Sequence, residues 1–240
     1  SCRAGQPAWC SEMVLIGGGY AELASVAARQ CRRLPEGVSL SDGALAEPTS
    51  IGLHAVLRSQ LKPGERVLVL GAGPIGLLVA FWARRFGASN VVVADINEHQ
   101  KDRALSVGAT GFALSGPKLA EEFADLTGGA PDIVYECVGK KGIIAFAIEQ
   151  VAVHGRVIGI GLCVGGDEWD PFAAIHKEAS IVMSAFFDMH EFALALDALA
   201  SQGPYRPQSL VTERIDLSKV PDSFEALRKR TSQCKVLIEA

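Results

Sequence analysis

The stretch that most constrains this chain is Arg66-Val-Leu-Val-Leu-Gly-Ala-Gly-Pro-Ile-Gly76. A short β-branched apolar run ends in Gly71, Gly73 and Gly76, and a helix-like segment follows from Pro74 to Phe86. A second apolar run, Val91 to Ala94, closes on Asp95, 24 residues beyond Gly71. Each part has a task in holding a dinucleotide. Gly71 allows the tight turn out of the strand, Gly73 lets backbone approach a pyrophosphate, and Gly76 lets the helix pack close to the sheet. The helix that opens at Pro74 presents the unpaired N–H groups of its first turn, from Ile75 onward, and a positive dipole end to phosphates. Asp95, at the tip of the next strand, can accept from ribose hydroxyls. The alternative is a tight strand-to-helix turn in some other α/β protein.

With 240 residues and 49% apolar content, the chain can bury a large core, as one large domain with appendages. A net charge of −4 gives no basic footprint, which argues against nucleic acid or an anionic membrane as partner. No apolar run approaches the roughly 18 residues of a membrane span. Nothing near Ser1 has the order of a secretory signal. The six cysteines, at 2, 10, 31, 137, 163 and 234, are scattered, which favours free or metal-bound thiols over disulfides. The expectation is a cytoplasmic protein. A start on Ser-Cys without methionine suggests a processed or truncated product.

Residues 1–45 are punctuated by glycine and proline, with strand-like pieces at Glu12–Ile16 and Tyr20–Val26. Ile51 to Leu61 reads as a helix stopped by Lys62-Pro63-Gly64. Regular alternation follows, with strands expected near 66–70, 90–95, 111–114, 132–137, 156–161 and 180–185. Helices are expected near 74–87, 98–107, 117–126, 141–152 and 172–178. Six strands in two βαβαβ halves predict an α/β fold, a doubly wound parallel sheet covered on both faces. Beyond Asp188 come a helix at Glu191–Ala200, a strand near Leu210–Arg214, a helix near Pro221–Arg230 and a last strand at Lys235–Glu239.

The order of these motifs resembles the zinc-containing medium-chain alcohol and polyol dehydrogenases, in particular the sorbitol and threonine dehydrogenase branch. Cys2-Arg-Ala-Gly-Gln-Pro-Ala-Trp-Cys10 is similar to the last half of that family's structural-zinc lobe. Gly19-Tyr20-Ala21-Glu22 resembles the strand entry after it. Glu47-Pro48, with Ser50 and His54, resembles the junction into the cofactor domain. Gly71 to Gly76, Asp95, Cys137-Val138-Gly139 and Gly155 to Gly161 follow in the family's order. The resemblance implies a six-stranded Rossmann sheet with remnants of a β-rich GroES-like catalytic domain. It divides the chain into a partial catalytic domain with half of the zinc lobe (1–45), an NAD-binding domain (46–187), and a C-terminal helix with a return to the catalytic domain (188–240).

Several residues acquire expected roles from this likeness. Cys2 and Cys10 would be two of the four ligands of a structural zinc, although two unrelated thiols fit the same residues. Glu47 would complete or neighbour a catalytic zinc shell; as a plain carboxylate it would suit a helix N-terminus. His54 reads as a packed or partly exposed histidine, and Cys31, Cys137, Cys163 and Cys234 as small core or surface residues. Asp95 would select NAD by accepting from the 2′ and 3′ hydroxyls and repelling a 2′-phosphate. The basic residue usual five positions later is Gln100 here, with Lys101 next. Ile96 would wall the adenine or belong to the core. Val138, Gly139, Ile160, Gly161 and Leu162 end the fourth and fifth strands, where ligands sit in such sheets. The resemblance gives the second of these segments to the nicotinamide carboxamide, against ordinary strand-to-helix turning. Lys235 would reach the pyrophosphate or stand solvated.

The implied activity is NAD-dependent, zinc-assisted oxidation of an alcohol or polyol to a carbonyl. Zinc would lower the pKa of the alcohol oxygen so that hydride could leave to the nicotinamide. The implied assembly is a homodimer or homotetramer, with Ser180–Ala185 as the pairing edge strand. The 240-residue chain itself is expected to bind NAD without turning over an alcohol. Two other readings stay open. One is a zinc-free quinone or enoyl reductase, against which Cys2, Cys10 and Asp95 argue. The other is a stand-alone NAD-binding module.

Overall fold

A computed structural model describes residues 5–11, 18–229 and 232–239. Cys2 and the expected strand at Glu12–Ile16 lie outside the described residues. The chain divides into two compact units, residues 51–185 and residues 1–50 together with 186–240. Helix α1 (Leu40–Gly43) belongs to the second of these, and α2 (Ala46–Ser59) runs from it into the first.

In the unit spanning 51–185, short apolar runs become six strands, the inner ones buried on both faces. They are β1 (Arg66–Leu70), β2 (Asn90–Asp95), β3 (Gly111–Leu114), β4 (Ile133–Glu136), β5 (Arg156–Gly159) and β6 (Ser180–Met183). All neighbours pair in parallel, in the order β3-β2-β1-β4-β5-β6. The crossovers carry α3 (Pro74–Arg85), α4 (Lys101–Ser106), α5 (Leu119–Thr127), α6 (Ile143–Gln150) and α7 (Pro171–His176). This is the doubly wound Rossmann arrangement expected from the sequence, with β1 at the point where strand order reverses.

One face of the sheet packs Leu68, Leu70, Val92 and Val134 against Leu119, Phe123, Ile148 and Val151. Tyr135 is fully buried, and its hydroxyl lies 2.6 Å from Ser59 Oγ at the end of α2. Burial pushes that phenol up, the Ser59 bond opposing it, so Tyr135 is a neutral packing residue. Lys177 closes α6, its ammonium donating to the carbonyls of Ile148, Glu149 and Val151 at 2.7–2.9 Å. Those carbonyls belong to the last turn, whose C=O groups have no partner within the helix.

The other unit holds α8 (Met189–Ala200), β7 (Val211–Asp216), α9 (Val220–Leu227) and β8 (Lys235–Glu239). Its core gathers Leu45, Ala46, Leu196, Leu199 and Leu237. Helix α8 opens on a reciprocal cap: Asp188 accepts from the backbone of His190 and Glu191, and Glu191 accepts from the Asp188 amide. β7 and β8 pair in parallel as a separate two-stranded sheet.

Three expectations need correction. Tyr20–Val26 forms no strand: Tyr20, Leu23 and Val26 stand exposed, and among the described residues nothing pairs with that backbone. An extended segment without a ladder leaves its N–H and C=O groups to water. The fifth strand stops at Gly159 rather than residue 161, because the amides of Ile160 and Gly161 both turn to the Glu136 carbonyl, at 2.9 and 3.0 Å. The sixth stops at Met183, not 185.

Candidate functional site

The register of the sheet brings three turns to one end of β1. Leu70 lies level with Ala94 and with Glu136, and Glu136 level with Gly159. The turns after β1, β4 and β5 and the tip of β2 therefore share one edge. That edge is the carboxyl end of the strands at the topological switch, where open α/β sheets bind ligands.

Gly71 leaves β1 with φ +98°, a left-handed conformation that favours glycine, and its amide donates to Ala94 O at 2.8 Å. Gly73 caps α3 with no side-chain bond of its own, and Pro74 takes the first helical position. A Cβ on Gly73 would meet no atom within 4 Å, so its backbone is open to a ligand. A Cβ on Gly76 would instead fall on the Gly71 carbonyl oxygen. Gly76 is buried, while Pro74 and Ile75 are half-buried at the helix start. The first turn of α3 carries no acidic side chain to compete for its free N–H groups.

Asp95 is tied to this turn. Its Oδ2 accepts from the Ala72 amide at 2.9 Å, and its Oδ1 accepts from the Asn97 amide and side chain at 2.9 and 3.2 Å. A carboxylate offers about four acceptor positions, so Oδ2 keeps capacity for a hydroxyl. The Asn97 side chain is the partner that can yield on Oδ1. Ile96 beside it is 58% exposed, a surface wall rather than core. Gln100 accepts from Arg103 Nη1 at 2.6 Å, which makes it a helix-start partner.

The turn after β4 lies against both of the others. Gly71 approaches the Cys137 carbonyl and the Val138 side chain, and Gly139, with φ +68°, approaches the backbone of Leu162. A Cβ on Gly161 would collide with the Gly139 amide. Val138 is 39% exposed and Leu162 88% exposed, so both present apolar surface at this edge. Ile160 and Gly161 are half-buried.

Glu136, which the sequence reading passed over, organises this edge. It is 2% exposed, and its Oε1 accepts from the Val138 and Gly139 amides at 2.7 and 2.8 Å. The available signal was a charged residue closing the apolar run Ile133-Val134-Tyr135, directly before a glycine turn. Burial, with the Glu136 charge beside it, pushes the Cys137 thiol well up. A raised pKa keeps this thiol protonated, the weaker nucleophile.

Glu47 sits in the first turn of α2, within the other unit. It is accessible to solvent, yet crowding around its carboxyl raises its pKa, and the Lys235 charge pulls it back. Lys235 on β8 thus has a carboxylate neighbour within its own unit. Cys10 is half-buried, Cys31 exposed and Cys234 buried. Zinc needs about three protein ligands in a catalytic site and four in a closed structural one. Among the described residues no three His, Cys, Asp or Glu side chains come together, so these residues do not fit a zinc ion. The glycine turns and Asp95, by contrast, fit a dinucleotide.

Comparison with known proteins places the chain. Residues 74–201 match the family model described as Zinc-binding dehydrogenase. Sorbitol dehydrogenase of Bos taurus is 34% identical over 207 residues, covering 83% of this chain and 56% of that enzyme. A short chain alcohol dehydrogenase of Escherichia coli CFT073, crystallised with NADH, superposes with a TM-score of 0.88 at 26% identity, covering 100% of this chain and 72% of that one. A zinc-binding dehydrogenase of Sinorhizobium meliloti 1021 bound to NADP gives 0.86 at 28% identity, with the same coverage. The chain belongs to the zinc-binding, medium-chain alcohol and polyol dehydrogenase family. It spans 56–68% of the length of the curated dehydrogenases it resembles. No described helix is long and apolar enough to cross a membrane.

Proposed function

We propose that the unit spanning 51–185 binds NAD, and that the chain is the cofactor-binding part of an NAD-dependent, zinc-assisted dehydrogenase acting on an alcohol or polyol. The observation that carries this reading is Asp95 bonded to the Ala72 amide, between the two glycines that open the phosphate turn. In this reading Gly71, Gly73, Pro74, Ile75 and Gly76 hold the pyrophosphate at the start of α3. Asp95 receives the adenosine ribose, and Ile96 lies flat against the adenine. Val138, Gly139, Ile160, Gly161 and Leu162 take the nicotinamide end. NAD, when bound, supplies a hydride acceptor.

The Sinorhizobium relative holds NADP and the Escherichia coli one NADH, so the fold alone does not choose between the cofactors. The choice here rests on Asp95, whose charge repels a 2′-phosphate. Cys2, Cys10 and Glu47 are proposed as metal ligands only in an assembly that supplies the rest of the shell. The proposed divisions are a partial catalytic domain (1–45), the NAD domain (46–187) and a C-terminal return (188–240). The scattered cysteines suit the cytoplasm, and the edge strand β6 suits a homodimer or a tetramer built from it.

The purified 240-residue chain, given NAD and zinc, is expected to bind the dinucleotide and oxidise no alcohol. Spectrophotometry of NADH formation across a panel of alcohols and polyols checks this. Turnover of any of them would place the active site among residues this reading leaves out.

A further inference from the structure

Two carboxylates are buried among the described residues, Glu136 and Glu191. Glu191 is spent in the cap of α8. Glu136 serves no cap. It closes β4 and holds four amides of the site: Val138 and Gly139 through its carboxylate, Ile160 and Gly161 through its carbonyl. Among the described residues no lysine, arginine or histidine forms an ion pair with it. Its charge is therefore offset by amide dipoles alone, in surroundings far less polarisable than water, where a charge is felt over a longer range.

A dinucleotide laid across the switch point has two ends of different character. Asp95, on β2, marks the adenosine side of β1, so the nicotinamide side falls at β4 and β5, around Glu136. The oxidised nicotinamide ring carries a positive charge and the reduced ring carries none. We infer that Glu136 is a positioning residue that fixes the turns after β4 and β5 and, through its buried charge, favours the oxidised cofactor over the reduced one. This inference rests on the NAD reading above.

The test is calorimetric titration of the full chain and its Glu136→Gln variant with ADP-ribose, NAD+ and NADH. Glutamine keeps an acceptor oxygen for both amides and deletes the charge. ADP-ribose, which lacks the nicotinamide, is expected to bind both proteins alike. The preference for NAD+ over NADH is expected to fall by about fivefold or more in the variant. A merely structural role would weaken all three ligands together, so an unchanged ratio overturns the inference. Failure of all three ligands to bind the unchanged chain removes the NAD reading itself.

Discussion

Gly73 and Gly76 lie three residues apart on one turn, and a methyl group at each is expected to fail in opposite ways. At Gly76 the added carbon meets the Gly71 carbonyl, a rigid neighbour, so α3 must withdraw from the sheet. Gly76→Ala should cost about 1–3 kcal/mol of stability, as overpacked sites do, and weaken NAD as well. At Gly73 the space is open and the backbone is ordinary, φ −73°. Gly73→Ala should melt close to the unchanged protein and still lose NAD affinity, because the methyl occupies the approach to the pyrophosphate. Melting curves and titrations of the two variants check this; equal NAD affinity in Gly73→Ala would contradict the placement of the phosphates.

Asp132 carries a pH dependence. Burial alone would raise its pKa, but hydrogen bonds and charge from Arg66, with Arg156 beyond, outweigh that and hold it below the ordinary carboxylate value. A folded-state pKa below the unfolded one means that the unfolded chain binds the proton first. The stabilisation is therefore present above the ordinary carboxylate range and lost as pH falls through the folded-state value. Melting temperatures of the unchanged chain should drop more steeply below about pH 4 than those of Asp132→Asn. Parallel curves would show that the pair contributes nothing.

At the scale of elements, β6 is the edge of the large sheet, with Met183 64% exposed and Ile181 and Val182 half-buried. Open apolar edges invite pairing with another chain, and a two-fold axis lets one strand pair with its own copy. Light scattering at micromolar concentration is expected to show a dimer, and Val182→Pro, which removes a ladder N–H and stiffens the edge, a monomer. A monomeric unchanged chain would count against this pairing. The elements of the large unit were legible because their signals are local. The strands at 66–70, 90–95 and 111–114 run as expected, since short apolar runs bounded by glycine and polar turns need no tertiary help to be recognised. What stayed hidden depends on contacts distant in sequence. Glu136 shows in the sequence only as a charged residue closing an apolar run, and its burial depends on the turn that holds Gly161. Ile160 and Gly161 read as strand until that same residue captures their amides. Tyr20–Val26 has strand-like residues but no described partner, and partners are not written in a single segment.

At the scale of the whole molecule, the unit spanning 51–185 carries the glycine turns, Asp95 and Glu136 on one sheet edge, the parts to which the NAD reading assigns the dinucleotide. The other unit carries Cys10, Glu47 and Lys235, the residues to which the family resemblance gives metal and phosphate roles. The central claim is that the first unit holds NAD and discriminates against NADP through Asp95. Calorimetric titration of the full chain with each cofactor tests it most directly. NAD should bind one per chain, and at least about tenfold tighter than NADP, since hydrogen bonds to a charged group are worth about 1.5–3 kcal/mol each, with Asp95→Ala narrowing the gap. Equal or tighter binding of NADP, or no binding of either, would contradict it.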